Sequence, residues 1–188
     1  DSIIWMAEGR KYEEVVLMTA SLARLLRQSI SNEDEVVPLA REVEYAKGYL
    51  TIQKMRYKDK LEFEIDVEPS ILNIPLIKLV LQPIIENAIY HGLKYKESKG
   101  LLQVKGFMKD GNAVLQVIDN GVGMDEETLE HIYDKHKVNY HSNGVGVYNV
   151  QKRLQLYYGE SYGITYESEK GVGTTATITI PGIQEESI

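Results

Sequence analysis

Asp110-Gly111-Asn112-Ala113-Val114-Leu115-Gln116-Val117-Ile118-Asp119-Asn120-Gly121-Val122-Gly123-Met124 is the stretch on which the fold turns. Asp110-Gly111-Asn112 is a turn signal between two apolar runs, so strands are expected at 101–108 and 113–118. Asp119 then stands at the end of a buried strand, where strand ends in α/β folds commonly meet ligand. A carboxylate there can accept a hydrogen bond from an exocyclic amine and so choose adenine over guanine. Gly121 and Gly123 would let the backbone approach a flat base without a Cβ in the way.

Two more clusters flank this one. Upstream, a helix is expected after Pro75, through Leu79 to about His91, with Pro83 deleting one backbone hydrogen bond and starting a new turn or bending it. It carries Glu86-Asn87-Ala88-Ile89-Tyr90-His91-Gly92, in which Asn87 offers a neutral oxygen of the kind Mg²⁺ accepts beside phosphate and water. Downstream come a short helix near 125–133, a polar segment, and Asn143-Gly144-Val145-Gly146-Val147-Tyr148-Asn149 opening a helix to about Tyr158. Val147, Val150, Leu154 and Tyr157 share one face of that helix. Free N–H groups at its start favour phosphate. Read singly, the clusters are a polar helix face, a turn and a loop. Read in order, they sum to an ATP·Mg²⁺ site without the Gly-x-x-x-x-Gly-Lys-Ser/Thr loop.

Around this centre the periodicity changes twice. Leu61, Phe63, Ile65 and Val67 alternate with acidic residues as in a strand with one wet face, and two strands near 163–168 and 174–180 close the chain. The first 57 residues are helical in period. Tyr12, Val15, Val16, Thr19, Leu22, Ala23 and Leu26 form one stripe, which Ser31-Asn32-Glu33-Asp34-Glu35 interrupts. A second helix opens near Pro38 with two stripes, Leu39/Val43/Ala46/Leu50 and Tyr45/Tyr49/Ile52. A helix apolar on two sides is covered on two sides; a partner subunit would be a natural second cover, although the rest of the chain could supply it. The expected division is a helical dimerisation segment at 1–57, an α/β domain at 58–182 and a tail at 183–188.

Composition narrows the function classes. The 188 residues carry a formal net charge of −7, which disfavours a nucleic-acid binder. There is no cysteine, so disulfides and thiolate metal sites are excluded. No apolar run approaches the ~20 residues of a membrane-spanning helix. The start at Asp1 reads as a piece of something longer. His131, His136 and His141 recur at five-residue steps, which do not share a helix face, so a zinc site is not expected.

The three clusters resemble the N, G1 and G2 boxes of the GHKL ATPase superfamily of gyrase, the heat-shock chaperone, mismatch-repair ATPases and sensor histidine kinases. More narrowly, Leu81-Gln82-Pro83-Ile84-Ile85-Glu86-Asn87-Ala88-Ile89-Tyr90-His91-Gly92 is similar to the N box of LytS/YesM-like sensor histidine kinases. Gly146-Val147-Tyr148-Asn149-Val150-Gln151-Lys152-Arg153-Leu154, Gly171-Val172-Gly173-Thr174 and the helical stretch Arg41 to Tyr57 match the same group.

The resemblance implies an α+β fold, a two-layer sandwich with a mixed sheet and helices on one face, behind an N-terminal helical dimerisation segment. It implies ATP and Mg²⁺ as ligands. Asn87 would ligate Mg²⁺ between the phosphates, with Glu86 a second catalytic candidate. Asp119 would read the adenine amino group, and Gly121 and Gly123 would shape that wall. Residues 125–143 would form a lid, and Gly144, Val145 and Gly146 would set N–H groups on the phosphates. Thr174 would sit near Asp119 and a bridging water, with His91 and Lys94 as phosphate neighbours.

By the same resemblance the function is transfer of the γ-phosphate to a histidine on an upstream helix, for relay to a response regulator, within a homodimer. It would make the chain the cytoplasmic portion of a membrane-bound sensor, joined to an upstream sensor region. The family's acceptor histidine lies upstream of the part matched by Asp1-Ser2-Ile3-Ile4. Two other readings compete. One is an ATP-hydrolysing switch, but its glutamate base would fall at Pro83, and Glu86 lies about 100° around the helix from Asn87. The other is a degenerate nucleotide-sensing or dimerisation module, for which the departures from family pattern at Tyr90 and Val147 speak.

Overall fold

The computed structural model describes residues 2–30, 35–132 and 144–182. The second part of the expected lid, the 31–34 break and the 183–188 tail lie outside the described residues. In chain order the elements are α1 (Ser2–Glu8), α2 (Tyr12–Ile30), β1 (Val36–Pro38), α3 (Leu39–Tyr57), β2 (Leu61–Val67), β3 (Pro75–Ile77), α4 (Leu81–Asn87), β4 (Gly100–Lys109), β5 (Asn112–Asp119), α5 (Glu126–Glu130), α6 (Gly144–Tyr158), β6 (Gly163–Glu169) and β7 (Gly173–Pro181).

Five strands form one sheet in the order β2-β4-β5-β7-β6, with β2 parallel to β4 and the rest antiparallel. The β4–β5 link is a two-residue turn in which Asp110 and Gly111 both have positive φ, +50° and +78°. That is the primed turn whose twist matches the strands it joins. Alternate residues Ala113, Leu115, Val117 and Asp119 of β5 are buried on the face that meets α3, α4 and α6, and Gln116 and Ile118 lie on the other face, partly open. The result is the expected two-layer α+β arrangement: a mixed sheet with its helices on one face.

Several sequence expectations need correction. Pro75 does not open a helix. Pro75–Ile77 is a strand that pairs antiparallel with Val36–Pro38, a two-stranded element the periodicity did not reveal because three residues show no period. The helix begins at Leu81, which puts Pro83 in its first turn. There the missing N–H has no intrahelical acceptor to lose, so the proline neither breaks nor bends anything. Beyond Asn87 the chain continues as a π-helical turn, Ala88–Leu93. On α6, Val147, Val150 and Leu154 are buried as expected, but Tyr157 is exposed and Tyr158 points inward. Its hydroxyl donates to the Pro75 carbonyl at 2.9 Å and accepts from the Ile77 N–H at 3.3 Å.

The helical segment also differs from its sequence reading. Leu39, Ala46 and Leu50 of α3 enter the same core as the sheet, and so does Tyr49 from the second stripe. That stripe is therefore covered in part by the chain's own helices, and a Leu50→Glu change would strike the core rather than an interface. Among the described residues, α2 leaves apolar side chains uncovered. Tyr12 and Val16 are 65% and 68% exposed on one side of the helix, whereas Met18, about half a turn around from Val16, is buried.

Candidate functional site

A cavity of about 560 Å³ opens between the α4/π-turn layer and the sheet, within the range of small-molecule sites. Its floor is apolar, from Ile84, Val117, Ala176 and Met124 among others, and Asn87, His91, Asp119 and Thr174 give it polar groups.

Asp119 is the last residue of β5 and is only 6% exposed. Its Oδ1 accepts the Gly121 N–H at 2.8 Å, and the carboxylate also accepts the backbone N–H of Thr174, its register partner on β7. Burial pushes the Asp119 carboxyl up to about 6, against the lowering pull of those two N–H groups and the Lys96 charge. A desolvated carboxylate that ends a strand is an acceptor in need of a further donor.

Glycines hold this corner together, for a reason the sequence reading did not anticipate. A Cβ on Gly121 would stand 2.4 Å from the Gly92 carbonyl carbon and 2.6 Å from Asp119 Oδ1. A Cβ on Gly123, where φ is +64°, would stand 2.0 Å from the Glu169 carbonyl oxygen. The close approach is of chain on chain, so these residues clear room for the protein's own backbone before any base arrives. The Val122 N–H donates to the Gly92 carbonyl at 3.0 Å, which closes the contact.

Asn87 ends α4 and lines the cavity; among the described residues its buried Oδ1 finds no hydrogen-bond donor. Such an orphaned oxygen costs free energy unless a ligand satisfies it. Among the described residues no group of three His, Cys, Asp or Glu side chains could hold a metal ion. A neutral amide oxygen working with phosphate oxygens and water is the donor set that suits Mg²⁺, so Asn87 fits the ion expected there.

The remaining candidates divide. Thr174 and Gly123 line the cavity with Asp119. His91 does too, and burial followed by the Lys94 charge lowers its pKa, favouring the neutral ring. Lys94 is exposed, with its ammonium 5.5 Å from the centre of the Tyr95 ring, and the structure does not bring it to the cavity wall. Glu86 does not line the cavity either. It accepts from Gln82 Nε2 at 3.0 Å and lies toward Tyr49 of α3. Gly144, Val145 and Gly146 form the first turn of α6, and Gly146 lies near Pro83 of α4.

Some functional neighbours escaped the sequence reading. Ser168 on β6 is the hub of the G1-side wall. Its Oγ lies 2.8 Å from Thr174 Oγ1, donates to the Gly173 carbonyl at 3.0 Å and accepts the Met124 N–H at 2.8 Å. Tyr166, Thr128 and His131 also line the cavity. Alternation along 163–169 places Tyr166 and Ser168 on the core face with Ile164, which was a usable signal. His131 sits on this wall, while His136 and His141 lie outside the described residues.

A family model described as histidine kinase-, DNA gyrase B- and HSP90-like ATPase matches residues 73–184. The chain belongs to this family. A second model, described as histidine kinase, matches residues 1–61, so the two together take in α1–α3 and the cavity-bearing layer. The sensor histidine kinase YesM of Bacillus subtilis is 33% identical over 96% of this chain. The sensor protein LytS of Oceanobacillus iheyensis is 34% identical over 74% of it. The chain spans 30% and 24% of the length of those two relatives. Among solved structures, the catalytic domain of histidine kinase ThkA superposes with a TM-score of 0.61 at 17% identity, over 79% of this chain and 99% of that one. A blue-light activated histidine kinase domain from Erythrobacter litoralis gives 0.58 at 15% identity, over 89% and 74%. These likenesses confirm the fold. The chain carries an ATP-binding catalytic domain of the histidine kinase class.

Proposed function

We propose that the chain is the catalytic part of a sensor histidine kinase that binds ATP with Mg²⁺ in this cavity and donates the γ-phosphoryl group to a histidine. The observation that carries the reading is the pairing of two acceptors on one cavity: the desolvated Asp119 carboxylate, held by the Gly121 and Thr174 N–H groups, and the Asn87 oxygen, which has no donor among the described residues. Asp119 would accept from the adenine amino group, with Thr174 and Ser168 fixing the wall around it. Asn87 would hold Mg²⁺ together with phosphate oxygens, and the bound ion would neutralise phosphate charge. In the transfer, the bond from the bridging oxygen to the γ-phosphorus breaks, a nitrogen–phosphorus bond forms, ADP leaves and the imidazole proton goes to solvent. Catalysis of this kind is positioning and charge neutralisation.

The hydrolytic alternative finds no glutamate at the position expected for its base. Pro83 occupies the position one turn before Asn87, and Glu86 lies toward α3 instead of the cavity. Relay to a response regulator and attachment to an upstream sensor belong to the proposal on the strength of the relatives. Among the described residues no helix is long and apolar enough to cross a membrane. We assign pairing of two copies to the uncovered α2 face. Residues 1–57 would serve that pairing and 58–182 the nucleotide.

Calorimetry tests the site. Losing a buried hydrogen-bonding partner costs ~1–3 kcal/mol, so Asp119→Ala should weaken ATP binding roughly 5–150-fold with or without Mg²⁺. Asn87→Ala should remove mainly the affinity that Mg²⁺ adds. Undiminished ATP affinity in Asp119→Ala would overturn the assignment.

A further inference from the structure

Glu42 of α3 is a carboxylate only 2% exposed, and it is spent on another helix. Its Oε1 accepts the Leu79 N–H at 2.8 Å, and its Oε2 accepts the N–H groups of Val80 and Leu81 at 2.9 and 3.1 Å. Leu79 has a φ of +63°, a left-handed conformation that a leucine rarely adopts, and Val80 follows in the right-handed helical region. Successive residues of opposite hand turn their N–H groups inward to make a small anion-binding concavity. Glu42 fills it. The N-cap residue of α4, Val80, has no side chain that can cap, so the helix is capped from α3 instead.

The same corner is held from a third side. Arg153 of α6 donates to the Lys78 carbonyl at 2.9 Å, and its charge bears on Glu42. Six residues after Leu81, the same helix ends at Asn87. An α4 of two turns transmits a displacement of its N-terminus along its whole length, because its internal hydrogen bonds keep it rigid.

We propose that Glu42 is a positioning residue for the nucleotide site: by capping α4 from α3, it sets the place of Asn87 in the cavity. The inference rests on the reading of Asn87 and Asp119 above. It ties the segment matched by the histidine kinase model to the segment matched by the ATPase model through one carboxylate.

A structural role without positioning would lower stability but leave the shares of binding from Asp119 and Asn87 in proportion. Positioning moves one share. In Glu42→Gln, of nearly the same volume, one acceptor oxygen becomes a donor facing backbone N–H groups. Calorimetry of ATP with and without Mg²⁺ should then show the Mg²⁺-dependent gain in affinity reduced about fivefold or more, with Mg²⁺-free affinity nearly unchanged. A wild-type Mg²⁺ gain in the folded variant overturns the proposal. A second measurement needs no variant. Coupling is reciprocal, so amide exchange at Leu79, Val80 and Leu81 of the wild-type protein should slow more with ATP and Mg²⁺ than with ATP alone. Equal protection in the two conditions overturns it as well. Wild-type protein that binds no ATP would instead overturn the functional reading itself.

Discussion

Replacing Asp119 by Asn should make the nucleotide-free protein more stable while depriving it of ATP affinity. Burial lifts the carboxyl from its ordinary 3.8 to about 6, although two N–H groups and Lys96 pull the other way. At neutral pH the ionised group therefore sits at a cost of ~3 kcal/mol, since each pH unit is worth about 1.36 kcal/mol. Asn keeps an oxygen for the Gly121 N–H, now at 2.8 Å, and carries no charge to desolvate. The sign follows from linkage. A carboxyl whose folded pKa is raised contributes stability that is fully present below about 3.8 and lost as pH rises through about 6. The wild-type protein should thus weaken relative to Asp119→Asn between those values, and the gap should be constant above them. For a chain of this size, ~3 kcal/mol corresponds to roughly 6–12 °C in Tm. Thermal unfolding of both proteins without nucleotide, across pH 4 to 8, reads this directly, and calorimetry with ATP reads the loss of function. If the offset in Tm does not change with pH, or Asp119→Asn is the less stable protein at pH 7.5, the carboxylate is not held in the way described.

Two further outcomes follow from the same geometry. Gly121→Ala places a Cβ 2.4 Å from the Gly92 backbone, where neither partner can yield, so denaturant unfolding should show a loss of about 1–3 kcal/mol and ATP affinity should fall with it. Val16→Glu, on the uncovered side of α2, should weaken self-association in a sedimentation series while the unfolding free energy at low concentration stays within about 0.5 kcal/mol of wild type; association equal to wild type would place the pairing surface elsewhere.

The sheet and the nucleotide corner were legible because their signals are local. Asp110-Gly111 announces the hairpin, the alternation along β5 announces its buried face, and Asp119 ends that strand by register alone. The features that stayed hidden depend on distant segments. The two-stranded Val36–Pro38/Pro75–Ile77 element needs a partner about 40 residues away and is too short for any period to show. Glu42 sits between apolar stripes on α3, and a charged residue in a helix reads as solvated until the helix it caps is in view. The stripes themselves were seen, but which one a neighbour covers is a question of packing. Tyr49 went inward and the α2 stripe remained open. At glycines 121 and 123 the sequence points to close approach of a flat base; the atoms that come close in the structure are the chain's own, which only the fold reveals.

The pairing of Asp119 with Thr174 has a kinetic consequence. The two residues are 55 positions apart and meet across the β5–β7 seam, where one local hairpin, β4–β5, joins another, β6–β7. Each hairpin can form from nearby residues, but the seam demands closure of the long intervening segment, the slow and entropically costly part of building such a sheet. The carboxylate proposed to read adenine is thus completed where the two folding units dock. A nucleotide finds no such site on either hairpin, so it cannot guide their formation. Once the seam is shut it acts as a clasp, retarding the separation of the halves and lengthening the lifetime of the native state instead of hastening its arrival.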